Sequence, residues 1–211
     1  NHILDTNNIE YVKWDMNRHM SDVSSTLYHG GEIAHRYIVG LYRVFENIIN
    51  KHQNVYFEGC ASGGNRFDLG ILSYFDQIWT SDDTDAYERI NIQSGYSLAY
   101  PLRCLSNHVS DAPSHSVLRK TPIQTRFNVA FFGSLGFELD LKTLTKVEKN
   151  ELKNEIEFYK EHRELVRDGD FYELKDIKKD GYALWLVVSK DKKEAVLGYF
   201  NSLQKMNPSI D

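Results

Sequence analysis

Tyr11-Val12-Lys13-Trp14-Asp15-Met16-Asn17-Arg18 decides how the rest of the chain is read. Ile9, Tyr11, Val12 and Trp14 have the β-branched and aromatic character of a buried strand. Lys13, Asp15, Asn17 and Arg18 then crowd four polar side chains into six positions. In parallel α/β proteins the C-terminal ends of strands carry the chemistry. Lys13 and Asp15 fall on one face of such a strand. A carboxylate kept ionised by the ammonium two residues earlier suits a nucleophile better than a proton donor. The competing role for a strand-end Asp is N-cap of the following helix.

Downstream, a polar loop over residues 19–29 leads to Gly30-Gly31 and an amphipathic helix over residues 32–50. Ala34, Ile38, Leu41, Phe45 and Ile48 form its apolar face. Residues 54–58 read as the next strand, which completes a βαβ unit. Cys60-Ala61-Ser62-Gly63-Gly64-Asn65-Arg66-Phe67-Asp68 comes directly after it. Paired glycines let a backbone approach a ligand and offer N–H donors, though they equally suit a tight strand-to-helix turn. Nucleotide binding is a poor match, because neither the dinucleotide fingerprint nor the Walker spacing is present. Cys60 taken alone is a small buried hydrophobe, and residues 67–74 read as a short helix.

A third strand, residues 77–80, runs into Ser81-Asp82-Asp83-Thr84-Asp85. Asp85 with Glu88 has the spacing of a capping box. That leaves Asp82 to face a site, where apolar neighbours including Trp79 let a carboxyl hold the proton a donor needs. The pattern then predicts a helix over residues 86–94, a strand over 98–105 entered through Pro101, and a loop over 106–116. His108 and His115 in that loop have no clear third ligand, so a metal site is not expected. A helix over residues 121–132 with Pro122 in its first turn precedes a fifth strand over 137–141. Thr145 and Glu148 form a second capping box, opening a helix with Leu152, Ile156 and Tyr159 on its inner face.

After Val166 the pattern changes. Apolar runs over residues 171–174, 182–189 and 195–200 are separated by hairpin-length polar turns. We therefore expect a boundary between residues 1–166 and 167–211, the second part being the start of an antiparallel β domain with too few strands to close a sandwich.

The 211 residues are 41% hydrophobic and 26% charged, ordinary globular proportions. A net charge of -5 argues against nucleic acid or an anionic membrane as the main partner. No apolar run is long enough to span a bilayer. Cys60 and Cys104 are too few for a disulfide framework. The aromatic content, 13%, suits sugar stacking and core filling alike. The chain opens at Asn1 almost directly into a strand, without signal-peptide features; the true N-terminus is expected elsewhere, so this absence says little about compartment. The location expected is cytoplasmic.

Five strands near residues 11, 56, 78, 103 and 139 alternate with helices. Such a run is a doubly wound sheet or a (β/α)8 barrel. Reactive-looking clusters on successive strand ends favour the barrel, whose full form needs eight strands and about 250 residues. The fold class expected is therefore α/β: strands four to eight of a TIM barrel, then a truncated antiparallel segment.

The 13–18, 60–68 and 79–86 motifs, in this order and spacing, resemble the bacterial α-galactosidases of glycoside hydrolase family 36. The resemblance runs from about residue 9 to 166, and the segment beyond residue 166 fits that family's C-terminal β domain. It implies a retaining α-galactosidase acting on galacto-oligosaccharides such as melibiose and raffinose, with no metal or organic cofactor. Asp15 matches the nucleophile and Asp82 the general acid/base. Lys13, Trp14 and Asn17 match sugar-contacting positions, and Cys60, Ala61, Ser62 and Gly63 a loop that contacts sugar hydroxyls. Arg66, Asp68, Asp83 and Asp85 carry over as supporting residues. Retention calls for carboxyl groups roughly 5–5.5 Å apart, one attacking C1 and one protonating the leaving oxygen. The family also implies a homo-oligomer for the full-length enzyme. Strands one to three and an N-terminal β domain are absent from this chain. We therefore expect the polypeptide as given to be inactive, or active only when paired with the missing segment. Related readings are an α-N-acetylgalactosaminidase, a galactosyl transferase, or a non-catalytic sugar-binding or structural fragment.

Overall fold

Strands form where β-branched and aromatic residues cluster, and helices where apolar residues recur every three or four positions. The computed structural model describes residues 1–202, so residues 203–211 of the expected C-terminal segment lie outside the described residues. Contacts divide the chain into two compact units, Asn1–Trp79 and a second beginning at Thr80.

In the first unit a short helix α1 (His2–Thr6) precedes β1 (Tyr11–Asp15), α2 (Gly30–Lys51), β2 (Tyr56–Cys60) and β3 (Gln77–Trp79). β1 runs parallel to β2, and β2 parallel to β3. The expected βαβ unit is present. Along α2, Phe45 and Ile48 are buried. Phe45 meets Trp14 edge-on at 5.1 Å and Phe75 at 4.7 Å between ring centres. β1 itself is not the buried strand expected, since Tyr11 is 48% exposed. Among the described residues its ladder is with β2. The helix expected over 67–74 reduces to one 3-10 turn, Ile71–Ser73. Asp68 Oδ1 accepts from the Ile71 N–H at 2.8 Å, an N-cap-type contact that sets the start of the turn after Asp68 rather than at residue 67.

The second unit holds α3 (Ala86–Ser97), β4 (Leu105–Ser110), α4 (Ile123–Ala130), β5 (Ser134–Glu138), α5 (Lys146–Asp168), β6 (Asp170–Lys175), α6 (Ile177–Asp180), β7 (Tyr182–Val188) and β8 (Ala195–Asn201). β4 and β5 are parallel, while β6, β7 and β8 form an antiparallel sheet. The parallel strands followed by a three-stranded antiparallel sheet match the expected class in outline. Phe132, Phe171, Trp185 and Phe200 make the aromatic core of this sheet, with Trp185 1% exposed. Gly181 ends α6 at φ 81°, a left-handed conformation that favours glycine.

Two strand placements are corrected. The strand expected over 98–105 lies instead at Leu105–Ser110, after a turn and a 3-10 segment, Leu102–Cys104. Its Ser106, Asn107 and Ser110 are polar and looked like loop residues, yet all are buried. They are satisfied locally: Asn107 Nδ2 donates to the Phe132 carbonyl at 2.9 Å and Ser110 Oγ to the Thr84 carbonyl at 2.8 Å. His108 thus lies in a strand, with Nδ1 3.5 Å from Glu138 of β5. β5 begins three residues before the predicted 137–141 strand, where Ser134 comes into parallel register with Ser106 of β4; Leu135 N–H donates to Tyr159 Oη of α5 at 3.1 Å. α3 runs three residues past its expected end. The Thr145–Glu148 capping box is present as expected.

Candidate active site

Parallel register brings the end of β1 level with the end of β2: Lys13 lies opposite Glu58, Trp14 opposite Gly59 and Asp15 opposite Cys60. Asp15 is the last residue of β1 and is exposed. Asn17 Nδ2 donates to its Oδ2 at 3.1 Å. The Cys60 thiol donates to it as well; burial and that bond push the thiol up to about 11, so it stays protonated at neutral pH. Asn17 Oδ1 in turn accepts the Ser62 N–H at 2.7 Å. Ser62 and Gly63 have φ of 50° and 82°, which lets Ala61 N–H reach the Gly63 carbonyl at 2.9 Å. Lys13, Asp15, Asn17 and the Cys60–Gly63 turn are therefore gathered at one strand end.

Lys13 does not pair with Asp15. Its ammonium pairs with Glu58 at 3.2 Å and lies 4.2 Å from the centre of the Trp79 ring. Glu58 is 1% exposed. Tyr11 Oη donates to its Oε2, and Gln77 Nε2 to the same oxygen at 2.9 Å and to Tyr11 Oη at 3.0 Å. Burial alone raises a carboxyl, but Tyr11, Lys13 and Gln77 together hold Glu58 below the usual carboxylate range. Burial and the bond to Glu58 push Tyr11 well above an ordinary phenol, so it remains a donor. Glu58 was not singled out from the sequence. The signal was there: a lone acid inside Val55-Tyr56-Phe57-Glu58-Gly59 is a buried charge that must find partners.

Trp14 alternates to the opposite face of β1 and packs on Phe45 of α2, away from Lys13 and Asp15. Arg66 supports the turn by donating Nη2 to the Cys60 carbonyl at 2.7 Å. Asp68 accepts from Tyr42 Oη at 3.3 Å and from Ile71 N–H, so it braces α2 against the 3-10 turn rather than facing Asp15.

In the second unit Asp82 is exposed, where the sequence led us to expect an apolar surrounding. Asp83 Oδ1 accepts the Asp85 N–H at 3.1 Å. Asp85 is 1% exposed and caps α3, accepting from Tyr87 and Glu88 N–H at 3.0 and 3.1 Å. The return half of the expected capping box is replaced: Glu88 pairs with Arg119 at 3.1 Å, and Arg119 also grips Asp85. Arg119 and Arg89, which holds the loop from α3, were both missed, since neither stands near Asp82 in the pattern of motifs. Among the described residues no group of three or more His, Cys, Asp or Glu side chains is arranged to hold a metal ion. Nor is any described helix long and apolar enough to cross a membrane.

A family model described as Melibiase matches residues 1–169. The chain belongs to the Melibiase family. Melibiase-family relatives include alpha-galactosidase AgaA from Geobacillus stearothermophilus, 45% identical over 96% of this chain and 28% of its own length. Alpha-galactosidase 1 from Pediococcus pentosaceus is 42% identical over 99% of this chain and 29% of its own. The crystal structure of AgaA, titled a GH36 alpha-galactosidase, superposes with a TM-score of 0.94 at 44% identity, over 99% of this chain and 29% of that one. A variant of AgaA is solved in complex with raffinose, at the same TM-score, identity and coverage. The resemblance drawn from the three motifs is thus upheld. The chain spans less than a third of the length of these Melibiase relatives.

Proposed function

We propose that this chain carries the reacting carboxylates of a retaining α-galactosidase that removes terminal α-galactosyl residues from melibiose- and raffinose-type oligosaccharides. The observation that carries the reading is Asp15: an exposed carboxylate on the last residue of a parallel strand, with neutral donors from Asn17 and Cys60 upon it and Lys13 on the same face. Asp15 attacks C1 of galactose, and the C1–O bond breaks as Asp82 gives its proton to the leaving oxygen. Water then attacks C1 of the glycosyl-enzyme, Asp82 takes the water's proton, and Asp15 departs as carboxylate. Lys13, Asn17 and the Cys60–Gly63 turn supply hydrogen bonds to sugar hydroxyls. The raffinose bound in an AgaA variant supports the substrate class.

With this reading go a division of the chain at residues 166/167, inside the last turn of α5, a cytoplasmic location, and homo-oligomeric assembly. The test is hydrolysis of 4-nitrophenyl α-galactoside by the complete natural protein. Asp15→Ala should remove activity, and NMR should show α-galactose as the first-formed product of the unaltered protein. An inverted product, or full activity in Asp15→Ala, refutes the reading.

A further inference from the structure

Thr80-Ser81-Asp82-Asp83-Thr84-Asp85 has no helix or strand of its own before α3 begins. An exposed acid on such a loop samples many positions, yet a proton donor must sit within hydrogen-bond reach of its target. The loop is held by side chains. Arg89, one turn into α3 and 3% exposed, folds back on it. Its Nη1 donates to Thr80 Oγ1, its Nη2 to the Ser81 carbonyl at 2.5 Å, and its Nε to the Asp83 carbonyl at 2.7 Å. The guanidinium therefore brackets Asp82, gripping the two residues before it and the one after. Ser110 of β4 takes the Thr84 carbonyl, and Arg119 takes Asp85. Burying a cation is costly; burial pulls Arg89 down to about 10, and nearby Asp83, Glu138 and Asp82 act against that. Only a planar fork with five N–H groups spans three acceptors in this way.

We propose that Arg89 is a positioning residue for Asp82: it fixes where the carboxyl is presented, so that the proton reaches a poor leaving group. This rests on the reading of Asp82 as the proton donor. The two roles separate by leaving group. Nitrophenolate departs unaided, whereas the sucrose of raffinose departs as an alkoxide unless protonated.

In the complete natural protein, kcat/KM is measured on 4-nitrophenyl α-galactoside and on raffinose for Arg89→Lys, Thr80→Val, Thr80→Ser and Asp82→Asn. Arg89→Lys should lose about tenfold more on raffinose than on the aryl galactoside, a fraction of the full general-acid contribution. Thr80→Val should shift the same ratio by a smaller factor, and Thr80→Ser, which keeps the hydroxyl, should restore it. Equal losses on both substrates, tracking a fall in Tm, overturn the proposal and leave Arg89 a purely structural residue. If Arg89→Lys does not fold, Thr80→Val against Thr80→Ser decides alone. Asp82→Asn keeps the two failures apart. If it loses equally on both substrates, the donor assignment falls and this proposal with it. If it alone shows the leaving-group dependence, the donor stands and Arg89 does not position it.

Discussion

The strand end at Asp15 and the loop at Asp82 present exposed carboxylates by opposite means. Asp15 is placed by backbone: five consecutive residues of β1 are in register with β2, and the side chain needs only Asn17 and Cys60 to orient it. Asp82 is placed by side chains: Arg89 and Ser110 hold carbonyls on either side of it, and Arg119 holds Asp85. A ladder spreads its free energy over many bonds, so losing one side chain disturbs geometry little. A clamp concentrates it, so one substitution releases the loop. At the strand end the sensitive quantity is charge instead, because Lys13 shares a face with Asp15 but is committed to Glu58.

The largest effect that tests this contrast is Glu58→Ala. It strips a buried carboxylate from Tyr11, Gln77 and Lys13, and breaking such a pair costs about 3–5 kcal/mol, nearer 3 here because Lys13 is 35% exposed at its side chain. Denaturant unfolding of the complete protein measures it. A loss below about 1 kcal/mol would mean that the ladder alone orders the strand end.

Glu58→Gln is the gentler version, and its signature is in the pH dependence. The folded Glu58 carboxyl is held below its usual range. Its contribution is therefore fully present above the unfolded value, about 4.3, and is lost as pH falls through the lower folded value. The acid limb of a stability profile should flatten in Glu58→Gln. An unchanged limb breaks the charge half of the comparison.

Glu155 on α5 is the control of opposite sign. Burial first, then Glu151, push it up to about 7, and its Oε2 has no partner among the described residues. A raised acid stabilises the fold below its unfolded value, and that stability is lost as pH rises from there to about 7. Glu155→Gln should gain about 1 kcal/mol at pH 8, after discounting for solvent screening, and nothing at pH 4. A gain independent of pH assigns the effect to packing. The smallest change is Thr145→Ala, which removes the reciprocal cap of α5 at about 1 kcal/mol. It should leave both carboxylate regions kinetically untouched, as kcat/KM unchanged from the unaltered protein on each of the two substrates would show.

The sequence by itself determined the features that depend on neighbours along the chain. These are the alternation of strands and helices, the three motifs, Asp15 at a strand's last position, the Thr145–Glu148 box and the three antiparallel strands. Each is set by periodicity or by a side chain bonding to backbone a few residues away, and such signals survive in one dimension. Tertiary structure alone decided what depends on register and burial. It turned Trp14 onto Phe45, gave Lys13 to Glu58, made a strand of Leu105–Ser110, and folded Arg89 back around Asp82. In every one of these a polar or aromatic group finds its partner across strands or on another element. Such a group is worth burying only once that partner is there, and no local pattern announces where the partner will come from.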